Sequence, residues 1–319
     1  MSSMNAPRPL DVLALRKVID EELTRRTRGT EGYAETRDGP AALYGITGAV
    51  HCKAALGIPL EDRSNRKNLA ARMLAFRDNH GNFIGSDGPG HAVHMVSSAL
   101  NLLGEPIPED IGPVAPREAE ALAPWLDRLD WTSTHKELCG QTIPLLAGNQ
   151  VNSDWITVFT DEITARLDPE RPLEMWCRAD DPPERVISCI YHVLATFDAG
   201  RLPYPRPRLI LDRLKGLGWE QVGDEVPRTV CTDGDWAWML LRLSEIFPTE
   251  MVWIMDAIRR VSLRRVRTWR EDSESILRLS THHLYCYLWV TAVFQSCTRD
   301  HYTGGYIRDT LNDPSLFRL

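Results

Sequence analysis

Gly90-His-Ala-Val-His94-Met-Val-Ser-Ser-Ala-Leu100 is a run of small and apolar residues led by two histidines. It shows no period-two alternation, and apolar residues fall on most faces of the helix it would form, which suits a helix buried nearly all round. Five other stretches share this layout. They are Ala42-Leu-Tyr44-Gly-Ile-Thr-Gly-Ala-Val50, Asp154-Trp-Ile-Thr-Val-Phe159, Ile190-Tyr-His192-Val-Leu-Ala195, Asp233-Gly-Asp235-Trp-Ala-Trp-Met-Leu-Leu241 and Thr281-His-His283-Leu-Tyr-Cys-Tyr-Leu288. With Tyr44, His94, Asp154, His192, Asp235 and His283 as markers, the spacings are 50, 60, 38, 43 and 48. Two helices plus two turns occupy about that length. The expectation is an all-α chain of about six helical hairpins, a single domain over residues 1–319. An open solenoid of HEAT type has a similar period. A closed α/α toroid fits better, because buried-type helices contrast with strongly polar ones such as that around Arg259, as an inner and an outer ring require. In a closed ring the polar markers would converge on one cavity.

Composition narrows the function classes. The 319 residues are 43% hydrophobic and 25% charged, ordinary for a chain that buries a core. The net charge of -7 gives no electrostatic footprint for nucleic acid. Its one basic stretch, Arg259 to Arg270, carries arginines all around a helix, and acidic residues follow at Glu271, Asp272 and Glu274, so it reads as a solvated face. Met1-Ser-Ser-Met-Asn-Ala-Pro7 lacks the apolar centre of a secretory leader, and no apolar run approaches the roughly 18 residues that span a bilayer. Seven cysteines without a CxxC pair suggest reduced, buried thiols, and the expected location is cytoplasmic.

Proline and glycine mark the joints. Gly104 to Pro116, Asp168 to Pro172 and Gly200 to Pro207 read as connectors. Helices are expected from Asp11 to Arg25, to about Ala54, and over Arg66–Arg77, His91–Leu103, Glu118–Leu129, Lys136–Leu146, Ser153–Arg166 and Val186–Phe197. Further helices are expected over Pro207–Leu214, Gly234–Ile246, Pro248–Thr268, Ser273–Arg278 and His282–Gln295. Asp181-Pro-Pro reads as a helix start.

Two segments carry a family resemblance. Phe76-Arg-Asp-Asn-His80-Gly-Asn-Phe83, followed by the Gly90 run and its Leu-Leu-Gly104 stop, resembles a squalene-cyclase repeat. Thr232-Asp-Gly-Asp235-Trp-Ala-Trp-Met and Thr281-His-His-Leu-Tyr-Cys-Tyr resemble the repeats that carry the zinc ligands of protein prenyltransferase β subunits. The resemblance implies the terpenoid cyclase/protein prenyltransferase α/α toroid and covers about two thirds of the chain. There are departures. Asp235 stands where the prenyltransferase cysteine would be, while Asp233 and His282 match. Two carboxylates and one imidazole suit a harder divalent ion than zinc, or no metal. Against the cyclase Asp-x-Asp-Asp pattern, Gly234 takes the position of the Brønsted acid.

Asp235 is the leading catalytic candidate. A carboxylate at a helix start is stabilised by free amides and the helix dipole, and neighbouring Trp236 and Trp238 would raise its pKa. The plainer alternative is that Asp235 or Asp233 is the N-cap. His282 and His283 point about 100° apart on a helix, so at most one faces a cavity. His91 and His94 share a face, and His192 sits on an apolar helix, where a hydrogen-bonded core role is the ordinary one. Tyr285 and Tyr287 could donate protons, and Cys231 or Cys286 could act as a nucleophile beside a histidine. Tyr44, Trp155, Trp236, Trp238, His94, His192 and Tyr285 form the expected substrate wall, with Trp131, Trp176 and Trp289 as further aromatic lining. The leading expectation is an enzyme that cyclises, isomerises or cleaves a hydrophobic, prenyl- or terpenoid-like small molecule by proton transfer. One alternative is a carbohydrate hydrolase or lyase pairing Asp235 with Asp154. Another is a non-catalytic helical repeat that binds a protein.

Overall fold

The computed structural model describes residues 8–60, 62–84, 88–108, 110–111, 115–131, 135–147, 150–167, 181–221 and 230–310. Trp176 and Asp168 to Pro172 lie outside them. Twelve α-helices form among the described residues, with one two-residue parallel pair, β1 (Leu10–Asp11) on β2 (Tyr302–Thr303). None of these helices is long and apolar enough to cross a membrane. The chain groups into two compact units, residues 1–72 with 220–311 and residues 73–219 with 312–319.

Unit 1 holds α1 (Val12–Arg26), α2 (Leu43–Ala55), the first turns of α3 (Arg63–Ala75), α10 (Thr232–Ile246), α11 (Met251–Arg278) and α12 (Thr281–Cys297). Asp11 caps α1, accepting the Leu13 amide at 2.9 Å. α2 and α12 are buried along nearly their whole length and lie against each other, and α12 also packs on α10 and α11. Small residues permit the close approach. A Cβ on Gly48 would stand 2.8 Å from the Thr281 carbonyl. α11 is amphipathic: Ile254, Ala257, Ile258, Val261, Ser262, Val266 and Trp269 lie along one buried stripe. Its backbone breaks at Asp272, the point where the sequence suggests two helices rather than one. Most of the α11 arginines are paired. Arg259 binds Asp300, Arg260 lies 3.0 Å from Asp256, and Arg265 reaches Asp233. The solvated-face reading of this stretch thus gains a second term, since Arg265 is turned inward.

The first hairpin meets the last through a buried charge cluster. Glu22 and Arg26 are both fully buried. Arg26 Nε donates to Glu22 at 2.8 Å, and its other nitrogens donate to the Glu35 carbonyl, the Thr281 hydroxyl and the Leu277 carbonyl at 2.9, 3.0 and 2.7 Å. Arg37 adds a second cation 2.7 Å from Glu22. A few residues on, Thr281 donates its amide to Glu35 and its hydroxyl to the Ala34 carbonyl.

Unit 2 holds α4 (Pro89–Leu103), α5 (Leu122–Leu126), α6 (Lys136–Ala147), α7 (Ser153–Arg166), α8 (Pro183–Ala199) and α9 (Pro207–Gly216). α4 packs on α6 and α6 on α8. Gly140 of α6 sits on the Gly90 carbonyl, where any Cβ would clash. α4 ends on Gly104 in the left-handed region (φ 71°), as its Leu-Leu-Gly stop suggests. The helix expected over Glu118–Leu129 is instead a 3-10 turn followed by the five residues of α5, which include Pro124. The turn before α4 forms as read: Asp78 accepts the His80 and Asn82 amides at 2.8 and 2.9 Å, and Gly81 takes φ 81°.

Removing Arg26 strands a buried carboxylate. Arg26→Met is expected to lower the free energy of urea unfolding by about 3–5 kcal/mol. Burial pushes the Glu22 carboxyl up, but hydrogen bonds and charge from Arg37 and Arg26 outweigh it and hold it below its ordinary value. Its contribution is therefore complete above the unfolded value of about 4.3 and is lost as pH falls through the folded one. Glu22→Gln should flatten that part of the acid-stability profile measured by thermal melting.

Candidate functional site

The start of α10 separates two aspartates that the sequence leaves equivalent. Its N-cap is Cys231, which makes no side-chain capping bond, so neither Asp233 nor Asp235 is the cap. Asp233 is buried and turns to α11, accepting Arg265 Nε at 2.5 Å, with Arg264 at 3.8 Å. Arg265 also donates to the Val230 carbonyl at 2.8 Å, and its guanidinium lies 5.9 Å from the Tyr287 ring. This pair fastens α11 to α10. Asp235 is 5% exposed in the first turn of α10, and Trp236 and Trp238, which follow it, are buried. The Arg242 guanidinium lies 5.6 Å from the Trp238 ring.

α12 separates the two histidines in the same way. Its N-cap Ser280 accepts the His283 amide, and its hydroxyl lies 3.0 Å from His283 Nδ1, so His283 stays at the exposed helix end. His282 points inward. Its ring lies 4.9 Å from that of Tyr44, and its Nε2 is 3.6 Å from Cys286 Sγ. Tyr285 faces elsewhere, stacked on His51 at 4.4 Å. His51 Nδ1 lies 3.1 Å from the Thr310 hydroxyl. Burial pushes the Tyr285 phenol well above its ordinary value, which Thr310 only partly offsets. Tyr287 is pushed up too, again by burial.

The candidate ligand set Asp233, Asp235 and His282 is not brought together. Among the described residues no three His, Cys, Asp or Glu side chains converge as a metal site. Two geometric reasons apply. Asp233 is engaged by Arg265, and the helices are staggered. Gly234 abuts Trp289 and Val290 of α12, so His282 lies about 12 Å back along that helix. These residues do not fit a shared metal ion, and no chemistry is derived through one.

In unit 2 the markers fare unequally. His94 on α4 and His192 on α8 are each 8% exposed. Burial pushes His94 down to about 4. Burial, then the charge of Lys136, pushes His192 down to about 3, against a hydrogen bond to the Ser188 carbonyl that favours the cation. Both rings are neutral near pH 7. Asp154 is exposed in the first turn of α7, whereas the buried helix of that hairpin is α6. Trp155 is fully buried core: its indole donates to the Pro116 carbonyl at 2.7 Å and stacks on Phe159 at 4.9 Å. Trp131 likewise donates to the Leu126 carbonyl. Sequence reading misses the residues that open α6. His135 is 2% exposed in the left-handed region (φ 59°), and Lys136 follows it. An apolar Leu-Cys-Gly-Gln-Thr-Ile run after a histidine is the signal that could have found them.

No family model, curated protein or solved structure matches the chain.

A ring held neutral in the fold binds no proton where the unfolded chain does. Stability should therefore be complete above about pH 6.5 and fall below it, by up to about 1.4 kcal/mol per pH unit for each of His94 and His192. Melting curves between pH 7 and 4 for His192→Gln should show a shallower decline than the parent.

Proposed function

We propose that the chain is an enzyme that acts on a hydrophobic, prenyl- or terpenoid-like small molecule by proton transfer, with Asp235 as the general acid or base. The observation that carries this reading is the burial of Asp235 in the first turn of α10, followed along the helix by the buried Trp236 and Trp238, while Asp233 pairs with Arg265. Burial disfavours the charged form of a carboxyl, the direction that suits a proton donor. His282, inward on α12 and beside Tyr44 and Cys286, joins Asp235 in this reading. His283, at the exposed helix end, has no part in this reading.

The α/α toroid of the terpenoid cyclase and prenyltransferase superfamily belongs to the proposal. Its support is the alternation of buried and amphipathic helices and the closure of the first hairpin onto the last within unit 1. The same closure speaks against an open repeat that binds a protein. The carbohydrate reading loses its second carboxylate, because Asp154 stands exposed on α7.

Geranylgeraniol, farnesol and their diphosphates, incubated with the protein and followed by mass spectrometry, should yield a cyclised, isomerised or cleaved product. Asp235→Asn should slow that conversion by about 10²–10⁴-fold while leaving the melting temperature near that of the parent. Equal turnover by the variant would remove Asp235 from the chemistry.

A further inference from the structure

Ser262 of α11 is fully buried, and its hydroxyl meets three side chains from the end of the chain. Thr298 Oγ1 lies at 2.9 Å, His301 Nδ1 at 3.0 Å and the Tyr302 hydroxyl at 3.2 Å. The protons in this knot can be placed. A carbonyl oxygen only accepts, so Thr298, 2.7 Å from the Phe294 carbonyl, sends its one proton there. Thr298 can then only accept from Ser262, which has one proton to give. The two lone pairs of Ser262 are left to the Tyr302 O–H and the His301 Nδ1–H. Burial pushes the Tyr302 phenol up, which keeps its proton in place. His301 is thereby the Nδ1–H tautomer, 5% exposed, with a lone pair on Nε2. That Nε2 is buried, and no described group forms a hydrogen bond with it.

The knot suits a neutral ring and not a cation. A second proton would put a buried donor on Nε2 with nothing to accept it. Ser262, already saturated, cannot rearrange to help. The charged groups at this corner have other tasks. Asp300 binds Arg259 of α11, Arg265 of α11 binds Asp233, and Asp11 of β1 caps α1. Burial pushes the Cys297 thiol of α12 up to about 11, so it carries no charge. Burial also holds the His301 ring below its ordinary value, with Asp300 opposing and Arg259 adding to the effect. Beyond His301, residues 302–310 run as a strap onto α2 and α12. Tyr302 and Thr303 pair with β1, and Gly304 and Gly305 follow at φ 79° and 152°. The Ile307 amide donates to Gln295 Oε1 and the Arg308 amide to the Ala55 carbonyl, both at 2.8 Å. Ile307 and Thr310 are fully buried, and the Thr310 hydroxyl lies 3.1 Å from His51 Nδ1. We propose that His301 is an acid-sensitive latch, whose protonation drives the ring out to water, frees residues 302–310 and uncovers His51 and Tyr285 beneath them. The latch is independent of the role given to Asp235.

Amide hydrogen exchange of the full chain tests the latch. A ring that is neutral when latched, and has an ordinary pKa of about 6.5 when released, raises the released fraction about tenfold between pH 7.5 and pH 5.5. The Ile307 and Arg308 amides, corrected for the intrinsic rate, should therefore lose about tenfold in protection over that interval. Amides inside α10 and α12 should keep theirs. His301→Asn retains a side-chain N–H but does not titrate, and it should show no such loss. Ser262→Ala removes the acceptor of Nδ1 and should loosen the strap at both pH values. The His301 Cε1 proton resonance should titrate below about pH 6.5. A strap whose protection ignores pH, a loss shared equally by α10 and α12, or a resonance that titrates at or above the ordinary value would overturn the proposal. So would an equal loss in His301→Asn, which would pass the effect to His51.

Discussion

A guanidinium with no exposure to water governs unit 1. Arg26 can be buried only if its donors are met, and the fold meets them with one carboxylate, two backbone carbonyls and a threonine hydroxyl drawn from opposite ends of the chain. The planar fork of arginine fixes directions as well as charge, so Leu277, Thr281 and Glu35 have little freedom in position once α1 is in place. A lysine, with three donors on a flexible stem, would not set the same geometry. The α2–α12 contact, the cap at Ser280 and the inward turn of His282 all follow from where this ion holds the start of α12.

Much of this architecture is legible in the sequence, and the reason is physical. A helix buried on nearly every side must be small and apolar nearly everywhere, so α2, α4, α8, α10 and α12 announce themselves without an alignment. Glycines such as Gly48 and Gly140 read as tolerated helix residues but are the points where backbones touch. The third hairpin misleads because Asp154-Trp-Ile-Thr-Val-Phe looks like the other runs. Its tryptophan is buried beneath Pro116, while α7 keeps a wet face. The helix expected over Glu118–Leu129 shrinks to one short turn around Pro124.

The candidate site is less legible, because its sorting depends on partners distant in sequence. Asp233 is marked out by Arg265, which is 32 residues away. His283 is held at the helix end by the cap that Ser280 makes. The periodicity identifies which residues are available to the interior. Ion pairs and caps then show that Asp233 and the helix end at His283 hold helices in place.

The way unit 1 is assembled from both ends of the chain also sets an order of events during synthesis. Residues 73–219 are nearly all of unit 2 and emerge as one continuous stretch, free to fold as they leave the ribosome. α2 emerges earlier, yet the helix that covers it, α12, follows some 230 residues later. At about 5–20 residues per second, that is an interval of roughly 10–50 seconds in which α2 lacks the cover that α12 gives it. A chain that closes first on last must therefore protect its beginning until its end arrives.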